Sequence, residues 1–210
     1  MDAQTLDPMA DTGGSGSSGS SASGTAYPRR IAVVGAGPSG LFAAQALLAQ
    51  QEVPVTVDVI DRLPTPYGLL RYGVAPDHTS IKSVATALAK TFEQPGVRFL
   101  GHVEFGTDTT REELLASYDA VVYAVGASED MQLGVAGEHL PGSASAREFV
   151  AWYSWHPDAR PQSLAGVRAA AAIGVGNVAV DVARILAKDA TALETTDMPD
   201  AVLAELHRHE

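Results

Sequence analysis

The chain has 210 residues, 46% of them apolar and 19% charged, with 14 basic residues against 25 acidic ones and a net charge of −11. It has no cysteine, which excludes a disulfide framework, a thiolate metal site and a CxxC redox relay within these residues. The acidic balance argues against a general nucleic-acid or anionic-membrane role. No apolar run approaches the ~20 residues of an integral membrane segment.

Residues 11–24, DTGGSGSSGSSASG, hold eleven Gly or Ser out of fourteen. Such a stretch buries too little apolar surface to offset its ordering entropy. Residues 1–28 are therefore expected to form a flexible leader outside the fold. The first eleven residues carry Asp2, Asp7 and Asp11 and no base. They fit neither a transit peptide nor a secretory signal, so a cytoplasmic location is expected.

Arg30–Val34 is a short β-branched run and reads as a buried parallel strand. Gly35-Ala-Gly-Pro-Ser-Gly40 follows, and then Leu41–Leu48 reads as a helix. In this strand–GxGxxG–helix order Gly35 allows the tight turn, Gly37 lets backbone approach a pyrophosphate, and Gly40 lets helix and strand pack closely. The helix N-terminus directs free N–H groups at the phosphates.

Val55–Ile60 is a second strand ending at Asp61, which lies 21 residues past Gly40. An acid at that spacing binds the ribose hydroxyls of an adenosine, or it caps the turn. Ile81, Val84, Ala85, Leu88 and Phe92 share a face at helical spacing, so an amphipathic helix is expected over 79–93. Val97–Leu100 reads as a third strand and Asp119–Gly126 as a fourth. Gly126 is either a point of cofactor approach or an ordinary turn glycine.

A second glycine-rich turn, Gly174-Val-Gly-Asn-Val-Ala179, precedes a helix over 180–186. The strand expected before it, Ala169–Ile173, is nearly all alanine, a poor strand former. The turn is either a helix cap or the start of a second nucleotide fold. Two such turns imply two dinucleotides, the plan of a flavoprotein fed by a nicotinamide. The expected class is α/β with two Rossmann-like nucleotide-binding lobes, the first over 29–134 and the second, incomplete, over 135–210.

The stretch from Pro64 to His78, PTPYGLLRYGVAPDH, resembles the signature of the adrenodoxin reductase family, which includes adrenodoxin-like ferredoxin–NADP reductases. Ser145–Tyr153 and Gly174–Arg184 resemble two further stretches, in register from about Arg29 onward. The resemblance implies FAD and NADP as cofactors, hydride transfer from NADPH to the flavin, and single electrons leaving to a ferredoxin-like iron–sulfur protein. It implies that Gly35, Gly37, Pro38, Ser39 and Gly40 hold the FAD pyrophosphate and Asp61 the ribose. Leu69 would meet the flavin end, and Phe105 would offer backbone to the adenine. Gly174, Val175, Gly176, Asn177 and Val178 would line the NADP phosphates. His78 is the candidate proton relay, or a structural member of a Pro-Asp-His turn. Arg71 would support the flavin or a partner, or anchor the loop to a carboxylate. Trp152 and Tyr153 are expected to be packing residues.

The sequence departs from the family at several points. Thr79 replaces a Pro, and Ala151 and Ser154 replace the Gly and Asn around Trp-Tyr. Met131 lies near a position where some relatives carry Arg beside the nicotinamide cofactor. The family's Arg pair for the 2′-phosphate lies past the position of Glu210, so the chain is expected to be a truncated reductase. The alternatives are a non-catalytic module that binds FAD or another nucleotide, and an inert fragment.

Overall fold

Four parallel strands make the sheet in the computed structural model, which describes residues 27–127 and 129–209. The glycine/serine stretch expected to be a leader lies outside the described residues. The strands are β1 (Arg29–Val34), β2 (Val55–Asp61), β3 (Val97–Gly101) and β4 (Ala120–Tyr123), in the order β3-β2-β1-β4. Val33 pairs with Val59 on one side and with Val122 on the other. The chain crosses from β1 to β2 through α1 (Pro38–Ala49). It crosses from β2 to β3 through α2 (Leu69–Tyr72), α3 (Thr79–Lys82) and α4 (Val84–Ala89), and from β3 to β4 through α5 (Arg111–Ser117).

Alternation along the strands fills both faces, as a parallel sheet between helices requires. Val33, Val57 and Val59 point to one face and pack with Leu41 and Ala44 of α1 and Leu88 of α4. Ala32, Val34 and Ile60 point to the other and pack with Leu114 of α5. The exception is Asp58, inside β2 and only 5% exposed. Its carboxylate accepts from Arg98 Nε and Nη2 at 2.7 and 2.6 Å, and from Tyr118 Oη at 2.8 Å. Arg98 is its register partner on β3, so the pair is a cross-strand ion pair built into the ladder.

The helix expected over 79–93 is broken. Ser83 interrupts it between α3 and α4, where its hydroxyl donates to the Ser80 carbonyl at 2.6 Å. A side chain that bonds nearby backbone competes with the helical ladder. Leu88 and Phe92 still face the core, whereas Ile81 is 46% exposed.

The second half contributes α6 (Ala146–Tyr153), α7 (Asn177–Ala187), a 3-10 turn (Ala190–Leu193) and α8 (Asp200–His209). These pack around Tyr153, Ile185, Leu193 and Val202, with Trp152 also buried. Trp152 and Tyr153 are packing residues, as expected. The strand expected at Ala169–Ile173 does not form; these residues are exposed coil. Among the described residues no strand pairs with them, and a run of alanines has too little side chain to pack on a sheet without one. No helix among the described residues is long and apolar enough to cross a membrane.

Candidate nucleotide-binding site

The first glycine turn lies between β1 and α1, and its three glycines meet three different surroundings. Gly35 has φ +110°, and an added Cβ would overlap the Ala124 carbonyl at the end of β4. At Gly40 an added Cβ would overlap the Gly35 carbonyl and crowd Val33. Both positions are closed by the protein itself. Gly37 differs: an added Cβ there meets nothing within 4 Å. Gly37 is the N-cap of α1, no side chain caps it, and Pro38 follows in the first turn. Open space thus stands before an uncapped helix N-terminus, whose amides favour an anion. These residues fit a pyrophosphate.

Asp61 turns back from the end of β2 onto this turn. Its Oδ2 accepts from the Ala36 amide at 2.6 Å and its Oδ1 from the Leu63 amide at 2.9 Å. The carboxylate therefore braces the turn and the start of the next loop. A carboxylate has about four acceptor sites, so capacity remains for a ribose hydroxyl.

The 64–78 loop closes over the same place. Tyr67 donates its amide to the Ala36 carbonyl at 2.8 Å. Tyr67 and Gly68 both have positive φ, +88° and +46°. An added Cβ at Gly68 would lie 3.0 Å from the Gly37 Cα. Leu69 is 72% exposed at the start of α2. Arg71 anchors the loop from within, with Nε donating to the Pro66 carbonyl at 3.3 Å and its guanidinium 5.6 Å from the Tyr67 ring centre. Its partners are thus a carbonyl and a ring, not the carboxylate considered from sequence. Thr65 and Tyr72 share a hydroxyl hydrogen bond at 2.8 Å.

Other expected site residues lie at the strand ends. Phe105 stacks edge-on against Tyr123 of β4, with ring centres 5.1 Å apart. Gly126, just past β4, has φ +74° and nothing within 4 Å of an added Cβ.

The second turn precedes α7. Gly174 has φ +145°, and its nearest neighbour is the Ala179 Cβ, 3.3 Å from an added Cβ. Gly176 is the N-cap of α7 with open space before it, and no side chain caps it. Val175, Asn177 and Val178 are exposed. Met131 is fully exposed as well.

A charged seam joins the two halves. Asp77 accepts from Arg184 Nη1, and from Lys188 Nζ at 2.8 Å. Arg184 Nη2 also donates to Asp181 Oδ1 at 2.7 Å and meets His78 Nε2 at 3.0 Å. A guanidinium only donates, so His78 Nε2 accepts in this geometry. Burial raises the Asp77 carboxyl, but the hydrogen bonds and charges of Lys188 and Arg184 outweigh it and hold it below the ordinary range. Burial likewise pushes the Tyr153 hydroxyl up to about 12, assisted by Asp181. The sequence offered His78 as a proton relay near the flavin or as part of a Pro-Asp-His turn; it did not show that Arg184 meets His78 or that Lys188 meets Asp77. The one local signal was the i, i+4 spacing of the two cations, although Lys188 stands at the C-cap of α7 and not on its face.

An uncapped glycine turn at the carboxyl ends of parallel strands defines a dinucleotide-type α/β protein. The pyridine nucleotide-disulphide oxidoreductase family model matches residues 29–206, and the chain belongs to that family. It is 50% identical over 182 residues to the NADPH-ferredoxin reductase FprA of Mycobacterium leprae, covering 84% of this chain and 40% of that protein. It is 46% identical to the mitochondrial NADPH:adrenodoxin oxidoreductase of Drosophila melanogaster, covering 87% of this chain and 39% of that one. The solved structure of Mycobacterium tuberculosis FprA in complex with NADPH is similar with a TM-score of 0.79 at 46% identity, over 87% of this chain and 41% of that chain. The chain thus spans about 40% of the length of these relatives.

Proposed function

We propose that this chain carries the nucleotide-binding part of an FAD-dependent reductase that passes electrons from NADPH to a ferredoxin-like iron–sulfur protein. The observation that carries the reading is the open, uncapped turn at Gly37, closed over by the 64–78 loop. FAD, when bound, supplies hydride acceptance and single-electron release. The amides of Ser39 and Gly40 at the start of α1 bind its pyrophosphate, with Gly35, Gly37 and Pro38 shaping the approach. Asp61 takes the ribose, Phe105 offers backbone to the adenine, and Leu69 and Gly126 border the flavin. Gly174, Val175, Gly176, Asn177 and Val178 receive the NADP phosphates. His78 holds or passes a proton beside the flavin. The protein's task is alignment of the two cofactors and exclusion of water.

The lobe boundaries, 29–134 and 135–210, belong to the same proposal, as does a cytosolic location, which fractionation of cells making the chain tests. A second reading is nucleotide binding without turnover. It is favoured by the exposed second turn, which has no strand before it among the described residues.

The visible spectrum of the purified chain, before and after FAD addition, tests the first step. Flavin bands that remain with the protein through gel filtration support the site. Anaerobic bleaching by NADPH then separates a reductase from a passive binder. A chain that stays colourless with FAD overturns the reductase reading for these residues, and one that also fails to bind NADPH overturns the second.

A further inference from the structure

Among the described residues a few ionic links join the two halves, and their carboxylates differ in burial. Arg62 and Asp158 pair at 2.6 Å with side chains 42% and 58% exposed. Lys82, 19% exposed, pairs with Asp197, 59% exposed. A pair whose carboxylate stands in solvent constrains geometry little. Asp77 is different: its side chain is 11% exposed and receives two cations, Arg184 of α7 and Lys188 at the C-cap of that helix.

We infer that Asp77 is a positioning residue: by holding Arg184 and Lys188 it fixes α7, and with it the second glycine turn, against the loop that covers the first. The inference rests on the proposed function only for its catalytic consequence.

Three features support the assignment. The backbone carrying Asp77 is immobilised, because Ala75 and Pro76 are fully buried and the His78 amide donates to the Ala75 carbonyl at 2.9 Å. Arg184 lies in the last turn of α7 and Lys188 is its C-cap, so the C-terminal end of α7 is held to Asp77 Oδ2 from two residues. Arg184 is also oriented on its own helix by Asp181, and its planar fork transmits that orientation to Asp77 and His78. A buried charge that loses its partner carries a large penalty, so the arrangement is held as a unit. Alignment matters because a displacement of about 1 Å in a hydride-transfer geometry can cost ~10²-fold in rate.

The absence of cysteine makes the test clean. Nitroxide labels on Ala46→Cys in α1 and Thr195→Cys after the 3-10 turn report the distance between the halves; both sites are exposed. The parent should give one narrow distance distribution. Asp77→Asn should broaden it at least twofold, and Lys188→Met should broaden it less. Asp197→Asn, which breaks an exposed link, should leave it unchanged. In parallel, Asp77→Asn should slow anaerobic bleaching by NADPH at least tenfold at unchanged FAD content. An unchanged distribution in both Asp77→Asn and Lys188→Met overturns the inference, as does equal broadening by Asp197→Asn. If Asp77→Asn does not fold, Lys188→Met alone decides. If no form binds FAD, the proposed function fails, and the label distances still decide the role of Asp77.

Discussion

The Tyr67 amide donates to the Ala36 carbonyl at 2.8 Å, and this bond ties the most distinctive loop of the sequence to its first glycine turn. Ala36 is held from its other side by Asp61. One residue, through both of its backbone groups, therefore registers β2, the turn and the 64–78 loop together.

Gly68→Ala tests that registration. The residue has φ +46° and faces the Gly37 Cα. A side chain in this region of backbone space costs about 1–3 kcal/mol. The expected outcome is a lower melting temperature and at least a tenfold loss of FAD affinity, read by thermal denaturation and flavin titration.

Gly37 and Gly40 should separate binding from folding. Gly40→Ala overlaps the Gly35 carbonyl and should destabilise the fold by about 1–3 kcal/mol, in the range of overpacking. Gly37→Ala meets only open space, so stability should change by less than ~0.5 kcal/mol. FAD affinity should nevertheless fall in Gly37→Ala. Denaturant melts and FAD titrations on the two variants check the contrast, and equal melts for both would contradict it.

Asp61→Ala removes two acceptors from backbone amides. Each buried or half-buried amide left without its charged acceptor costs about 1–3 kcal/mol. The melt should move down, and saturating FAD should recover less of it than in the parent, since the ribose contact is lost as well. Thermal shift with and without FAD measures both effects.

Acid should weaken the sheet at Asp58. Burial raises its carboxyl, but hydrogen bonds from Arg98 and Tyr118, with the charges of Arg98 and Arg30, hold it below the ordinary value of 3.8. The group thus binds its proton less readily in the folded state than in the unfolded one. Its contribution is fully present above the unfolded value and is lost as pH falls through the lower folded value. Asp77 acts in the same direction. Asp58→Asn should lower stability at about pH 7 by about 1–3 kcal/mol. It should also reduce the further loss between about pH 7 and about pH 3. Urea denaturation at the two pH values gives both numbers.

Much of the first half was legible in the sequence because its signals are local. Arg30–Val34, Gly35–Gly40 and Asp61 lie in a run whose strand, turn and helix each have their own chemistry, and all four strands form near their expected places. Ser83 was not legible as a break: the apolar face over 79–93 continues through it, and the competing bond to Ser80 depends on local geometry. The Ala169–Ile173 strand failed for the opposite reason, since its expectation came from the turn after it and not from its own side chains. Asp77, Arg184 and Lys188 lay hidden because no periodicity links a loop aspartate to a helix 107 residues later. Asp61 was read either as a ribose ligand or as a turn cap, and its two backbone bonds match the cap.

The contact between Gly35 and Ala124 also orders events in time. Gly35 takes its positive φ where the end of β4 presses on it, and the Ala124 amide completes the ladder to the Val34 carbonyl at 2.7 Å. During synthesis, the glycine turn leaves the ribosome long before the strand that shapes it. A nascent chain ending before Ala124 therefore has the fingerprint without its finished form. Under the proposed function, flavin loading would belong to a late stage of synthesis, after β4 has entered the sheet beside β1.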